Sequence, residues 1–532
     1  MSAEQENRAP ELRYSRIIGI FLLWLLLTAF VYHRTQSNFL RAESGWYLFI
    51  SQSTPVVQDN FVRDLLTKSF KGHYAPLAFL SEFATAKVVG THGGFWKGRQ
   101  ICVLALVATA LFLFVRLSAD AFQLSRLKAG LSAAALTAIL IFQPQMRDFI
   151  SWPFMILQLL WMLTTVLALM GLVQMARFPS EAIWPWLAAV AGYASLHFLG
   201  LGIATVAATA AGMAGLWWTL RRSDPSKARK IVVPLLSLIA IAALHAVVMV
   251  KSVRPDDMVT PPGWQPLAFL LSTLGFIPNF AFATLRSLFS TGPATPEAWQ
   301  TMHDWPYGLA ILLGFGFLLG LAFLRCRREP TARNRARLVL HTFASVSFLT
   351  MIALISFRVW REPSPHGFGD YLAGPRYLIP SSFALAGIIA DLLLLVALTP
   401  VFLSAFLNLG LGLCAILGNF QFAASVKPRL DPKSTISHKS AWRSIVAMAR
   451  ESQKAGLAIP NVPLGALTQE FHDWDLKLFE PLLRSDLKTP RETTLQMEPW
   501  ATFAAGSPEN YSREVPSLVQ VRKQLKLNER PQ

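Results

Sequence analysis

Charged residues make up only 15% of this 532-residue chain, where a water-soluble protein of that length needs about a quarter to cover its surface. The shortage excludes an ordinary soluble globule. Cysteine is nearly absent: Cys102, Cys326 and Cys414 are scattered, two of them inside apolar stretches, and they form neither a metal-ligand spacing nor a disulfide framework. Acidic residues number 31 against 49 basic ones, a net charge of +18 at pH 7. No small-residue cleavage pattern follows the first apolar stretch, which ends in Val31-Tyr32-His33-Arg34, so it reads as a retained helix rather than a signal peptide. No repeat relates the two halves of the chain, unlike many transporters.

What the chain has in abundance is apolar sequence in long blocks. Hydrophobic residues are 53% of the total and the mean hydropathy is +0.41. Ile17–Val31, Ile101–Val115, Val232–Val250 and Leu309–Leu324 approach or reach the roughly 20 residues that carry a helix across a bilayer. The 16 tryptophans include Trp24, Trp152, Trp184, Trp186 and Trp305 near block ends, as in the aromatic belt at a membrane–water boundary. The expected fold class is all-α: a polytopic integral membrane protein.

Arginine and lysine gather between these blocks, over 221–230 and 325–337, and more sparsely at Arg116, Arg126 and Lys128. Short basic loops stay cytoplasmic during insertion, which accounts for the net charge better than a nucleic-acid patch between two spanning helices. The implied organisation is a cytoplasmic segment 1–16, a polytopic domain 17–423 containing a large outer loop 34–100, and an extramembrane C-terminal region 424–532. About eleven helices of spanning length follow, at about 17–33, 101–118, 129–147, 153–175, 183–197, 200–219, 231–250, 306–325, 339–357, 377–397 and 400–422. Leu267–Leu288 is expected to be re-entrant or interfacial, because a full crossing there would turn the 325–337 cluster outward.

On that topology the unusual ionisable groups share one face. They are Glu43 in Arg41-Ala-Glu-Ser-Gly-Trp-Tyr47, His73 and Tyr74, Asp148 beside Arg147, Asp256 and Asp257, and Arg376 with Tyr377. Ionisable groups at bilayer level are costly and mark function by default. A carboxylate there can take a proton from an attacking hydroxyl, and an arginine can hold a phosphate through its planar fork of donors. Plain alternatives stand beside these roles. Glu43 also fits a solvated loop, Asp148 a helix end, Arg376 a side chain reaching to headgroups, His73 a structural part, and Asp256–Asp257 a turn.

The order of these motifs resembles the GT-C superfamily of membrane glycosyltransferases that use polyprenyl-phosphate sugars, nearest to its O-mannosyltransferase-type members. Glu43 follows the first helix, His73-Tyr-Ala-Pro-Leu-Ala-Phe-Leu80 runs on to Val88-Val-Gly90, Gln143-Pro-Gln-Met-Arg-Asp148-Phe-Ile-Ser-Trp152 follows the third, and Arg376-Tyr-Leu-Ile-Pro380 comes late. The resemblance implies Glu43 and Asp148 as catalytic acids, with His73, Tyr74, Arg376 and Tyr377 binding substrate. It covers most of 17–400 by order and spacing. Departures are Ser44 where the family often has a second acid, Gln143 where it has histidine, and Ser195-Leu-His197 where it has a lysine. The tetratricopeptide repeats often fused to the mannosyltransferases are absent.

The expected activity is transfer of a sugar from a polyprenyl-phosphate carrier to a hydroxyl of an acceptor glycan, lipid or protein. No cofactor, resident metal or nucleic acid is expected. Compact loops favour a bacterial inner membrane with the site facing the periplasm. A transporter or flippase, and a polysaccharide polymerase or ligase, are the alternatives. In the tail, Ser440–Gln453 has helical periodicity, and Glu470-Phe-His-Asp-Trp-Asp475 bunches carboxylates around His472 without a known ligand spacing.

Overall fold

The computed structural model describes residues 14–33, 35, 47, 51, 55–67, 74–89, 93–198, 200–252, 266–289, 304–361 and 375–426. Among them the chain is helical, without strands. The helices are α1 (Tyr14–Val31), α2 (Pro55–Thr67), α3 (Pro76–Val89), α4 (Gly93–Ala121), α5 (Arg126–Ile141) and the short α6 (Met146–Ser151). A 3₁₀ turn at Pro153–Met155 leads into α7 (Ile156–Arg177), α8 (Ile183–Ser195), α9 (Gly202–Ser223), α10 (Pro225–Ser252) and α11 (Pro266–Ser287). The series ends with α12 (Trp305–Arg328), α13 (Ala332–Arg361), α14 (Pro375–Ala384), α15 (Ala386–Val396) and α16 (Val401–Val426).

Proline marks many of the starts. Helices α2, α3, α10, α11 and α14 each open on one, where its missing N–H is an orphan in any case and its fixed φ suits the first turn. Inside a helix the same residue bends the axis. Pro380 lies within α14, and the segments Tyr377–Ala384 and Ala386–Val396 meet at 51°.

Nine of the described helices are long and apolar enough to cross a membrane, or up to ten if the bent α14–α15 pair is one span. The chain is an integral membrane protein. Their burial separates interior from lipid-facing elements. The apolar windows of α7 and α13 are each 72% buried, whereas that of α12 is 6%. Helices α1, α10, α12 and α16 expose Leu26, Phe30, Leu244, Phe317, Phe402 and Phe406, a surface that hydrocarbon tolerates and water does not. Inside, Trp161 Nε1 donates to Thr205 Oγ1 at 3.1 Å, and Thr165 and Thr205 share a hydrogen bond of 2.9 Å, joining α7 to α9.

Basic side chains collect at one end of the bundle, here the basic rim. Arg177 of α7 reaches the Leu117 carbonyl at 2.9 Å and Asp120 at 3.1 Å in α4. Arg335 donates to the Ala176 carbonyl at 2.6 Å, Lys128 to Thr399 at 2.6 Å, and Lys230 to the Ser180 carbonyl. The ends of α4, α7, α9 and α12 and the starts of α5, α10 and α13 therefore lie together.

Helix α11 has the length and composition of a span, but its contacts lie toward the opposite, far rim. Asn279 Nδ2 donates to Asp304 Oδ2 at 2.9 Å, beside the first turn of α12. A Cβ added at Gly418 would lie 2.7 Å from the Phe289 carbonyl oxygen, next to Pro144. The end of α11 and the start of α12 therefore lie together at the far rim; by length and composition α11 counts as a candidate span, where a re-entrant or interfacial segment was expected.

Several boundaries differ from the expectation. The stretch 34–100 contains α2 and α3, and α4 begins at Gly93 rather than 101. The early turns of α4 carry Lys97, Arg99 and Gln100, polar residues that hide its start from a hydropathy reading. The expected spans 129–147 and 183–197 appear as the shorter helices α5 of 16 and α8 of 13 residues, although α5 still runs from Lys128 at the basic rim to the Ile141 carbonyl beside Tyr32. Counted by length and composition, the described spans are nine, with α11 among them and without α5 and α8, or ten with the bent pair, against about eleven expected. Most of the expected 424–532 region, including both tail motifs, lies outside the described residues.

Candidate functional site at the far rim

The far rim is organised around α6. Met146, Phe149 and Ile150 are fully buried, so this six-residue helix is pinned through its apolar residues. It packs against α14 and α4. Asp148 lies on α6 and Arg376 in the first turn of α14. The fold therefore brings the backbone positions of one expected acid and the expected phosphate ligand onto neighbouring helices. Their side chains, and all of Glu43, His73, Asp256 and Asp257, lie outside the described residues.

Buried polar groups tie the helices around α6 together. The hydroxyl of Tyr32, fully buried just past α1, donates to the Ile141 carbonyl at 2.6 Å. Asn419 of α16 donates to Tyr32 Oη and to the Gln143 carbonyl, each at 3.3 Å. Gln143 Nε2 donates to the Leu140 carbonyl at 2.8 Å and to Ser382 Oγ of α14 at 3.1 Å. Ser381 and Thr284 share a bond of 2.8 Å from α14 to α11. Arg147 donates to Thr35 Oγ1 at 3.1 Å and to the Val31 carbonyl at 3.2 Å, its guanidinium 5.6 Å from the centre of the Tyr32 ring. Burial pushes the Tyr32 phenol well above its ordinary range, against the nearby Arg147 charge. It is held as a neutral donor.

A carboxylate that the sequence reading passed over lies beside the same turn. Glu82 of α3 is wholly buried, with Oε1 2.6 Å from Arg99 Nη1; its Oε2 has no hydrogen-bond partner among the described residues. Arg99 also donates to the Pro153 carbonyl at 3.0 Å and lies 4.9 Å over the Trp96 ring. Gln100 Nε2 donates to the carbonyls of Phe149 at 2.9 Å and Trp152 at 3.2 Å. Tyr47, Phe79 and Phe154 stack nearby, with centroids 6.3 to 6.5 Å apart. Burial raises the Glu82 carboxyl above the usual carboxylate range, and Arg99 opposes that rise. A carboxyl with one oxygen uncommitted, among flat aromatic faces, can accept a hydrogen bond from a hydroxyl. Its own signal was a lone acid in the apolar run Phe79–Ala86.

Tyr74 and Tyr377 are both placed. Tyr74 donates its hydroxyl to the Leu66 carbonyl at 3.0 Å, and its ring lies 5.4 Å from that of His245 in α10. His197 packs edge-on at 5.1 Å from His245 and 4.9 Å from Tyr193. Tyr74 thus joins the α2–α3 region to α10, and its phenol is committed to protein. Tyr377, next to Arg376, is 7% exposed and faces the interior.

A further ionic group lies within the helices, between α13 and α15. Arg337 Nε and Nη2 reach Asp391 at 3.0 to 3.2 Å, and His341 Nε2 lies 2.9 Å from Asp391 Oδ2. The sequence reading had assigned Arg337 to a basic loop. The i,i+4 spacing of Arg337 and His341, with Asp391 in an apolar run, was the available signal. Among the described residues no group of three His, Cys, Asp or Glu could hold a metal ion.

Compared with family models, with curated proteins and with solved structures, this chain gives no match.

Proposed function

We propose that this protein is a membrane glycosyltransferase, moving a sugar from a polyprenyl-phosphate carrier to an acceptor hydroxyl at the far rim. In this reading that rim faces the periplasm of a bacterial inner membrane. The observation that carries it is the packing of α6 against α14, which sets the helices that carry Asp148 and Arg376 side by side, with buried Glu82 linked through Arg99 to the Pro153 carbonyl just past α6. In the proposed reaction Glu43 takes the proton from the acceptor hydroxyl as its oxygen attacks the anomeric carbon. The bond from that carbon to the phosphate oxygen breaks, and polyprenyl phosphate leaves as an anion held by Arg376. Asp148 is the second acid and orients the sugar. His73 and the ring of Tyr74 line the approach, while buried Tyr377 fixes the turn that presents Arg376.

The test is incubation of the purified chain in lipid nanodiscs with polyprenyl-phosphate sugars, reading release of free polyprenyl phosphate. Release by the native chain that falls at least a hundredfold in Glu43→Gln and in Arg376→Ala supports the reading. Undiminished release from either variant removes that residue from the mechanism.

A second reading, a transporter or flippase, is favoured by the Asp391–Arg337–His341 group, because intramembrane ionisable residues mark solute or proton paths. It predicts solute flux in proteoliposomes that Asp391→Asn abolishes, with no release of polyprenyl phosphate.

A further inference from the structure

At the basic rim, away from the proposed glycosyl-transfer site, the ends of α9 and α12 enclose a cavity of about 250 Å³. Its walls include Trp218, Thr219, Arg222 and Ser223 from α9, with Phe323 and Arg327 from α12. Among the described residues no carboxylate lines it. Arg222 and Arg327 are exposed, and neither has a hydrogen-bond or ion-pair partner among the described residues.

Their neighbours are different. Arg177 is paired with Asp120 and Arg335 with backbone carbonyls, while Arg221 stacks on Trp218 at 3.3 Å. Asp224, the nearest acid in sequence, is bound to Lys227 at 2.8 Å and accepts from Ser226 at 2.6 Å. Two uncompensated guanidinium groups beside two hydroxyl side chains make a cavity for an oxyanion with negative charge.

The surroundings identify the source of that oxyanion. Helix α12 is the least buried of the candidate spans, Trp218 is 43% exposed, and Phe323 is a wall of the cavity. Its polar end therefore adjoins surface that acyl chains cover. Basic pockets between transmembrane helices on the positively charged side suit lipid headgroups. We propose that this cavity binds the headgroup of an anionic phospholipid, with the phosphate between Arg222 and Arg327 and the chains along α12.

The experiment measures lipid retained by the full-length protein after detergent exchange, by native mass spectrometry, using phosphatidylglycerol or phosphatidylcholine. The expected result is phosphatidylglycerol retained in preference, with affinity about thirtyfold weaker in R222Q/R327Q, the factor for two lost surface cations. R325Q/R328Q makes the same charge change at the same rim outside the cavity, and is expected to keep most of the preference. Equal retention of the two lipids overturns the assignment, as does equal loss in both double variants. A third arm adds glycerol phosphate and inorganic phosphate. If either displaces the lipid at equal concentration, the ligand is a soluble phosphate and the lipid assignment is wrong. Retention by R222Q/R327Q equal to the native chain also overturns it.

Discussion

At the scale of single residues, the account rests on buried polar groups whose partners are specified. Asp391 is 2% exposed on its side chain and faces both Arg337 and His341. Asp391→Ala leaves a guanidinium without its carboxylate, a change that costs about 3–5 kcal/mol for a buried pair. Denaturant unfolding in mixed micelles should show that loss, and Asp391→Leu with Arg337→Leu should recover much of it. Recovery that fails would mean the charges do more than compensate each other. His197 gives a prediction in pH. Burial lowers its pKa, and neighbouring His245 adds to the effect; Tyr193 is the other ring against it. The unfolded chain takes up a proton near the ordinary value of about 6.5, which the folded chain resists. The contribution is therefore complete above that value and is lost as pH falls through it. The native chain should lose more stability between pH 7.5 and 5.5 than His197→Gln, and equal losses would exclude the histidine as the cause.

At the scale of elements, close approach decides what can change. Gly418 lets α16 meet the Phe289 carbonyl at the end of α11, whereas nothing lies within 4 Å of a Cβ at Gly410 on the same helix. Gly418→Ala should therefore destabilise by about 1–3 kcal/mol through overpacking, and Gly410→Ala should be neutral or slightly stabilising through helix propensity. A thermal melt of both variants decides it. Long apolar runs made most of these helices legible from the sequence. The starts of α4 and α2 were not, because Arg99 and Gln100 read as loop residues until their partners, Glu82 and the carbonyls of 149–153, are brought in from distant sequence. Glu82 was invisible for the same reason. A single acid has no periodicity, and only tertiary packing reveals that it is wholly buried. Asp148 was legible because it sits beside Arg147 between two apolar blocks, but the packing of α6 on α14 was not.

At the scale of the whole molecule, the proposed orientation rests on the asymmetry of charge. Under the positive-inside bias the basic rim would lie in the cytoplasm, and the Tyr32–Gln143–Asn419 network, with the helices that carry Asp148 and Arg376, on the other side. Impermeant thiol reagents applied to sealed vesicles of known orientation should label Ser226→Cys only from the cytoplasmic face and His33→Cys only from the opposite one. Labelling of both from one face would break the topology on which the site depends. The central claim is narrower: that Glu43 joins Asp148 and Arg376 at one place on that far rim. The measurement that tests it most directly is cross-linking of Glu43→Cys to Arg376→Cys with a short bifunctional thiol reagent in native membranes, after replacing Cys102, Cys326 and Cys414. Thr284→Cys with Ser381→Cys, whose native hydroxyls lie 2.8 Å apart, is the positive control. The account predicts an efficient Glu43–Arg376 link, and its absence while the control pair links would contradict a shared catalytic centre.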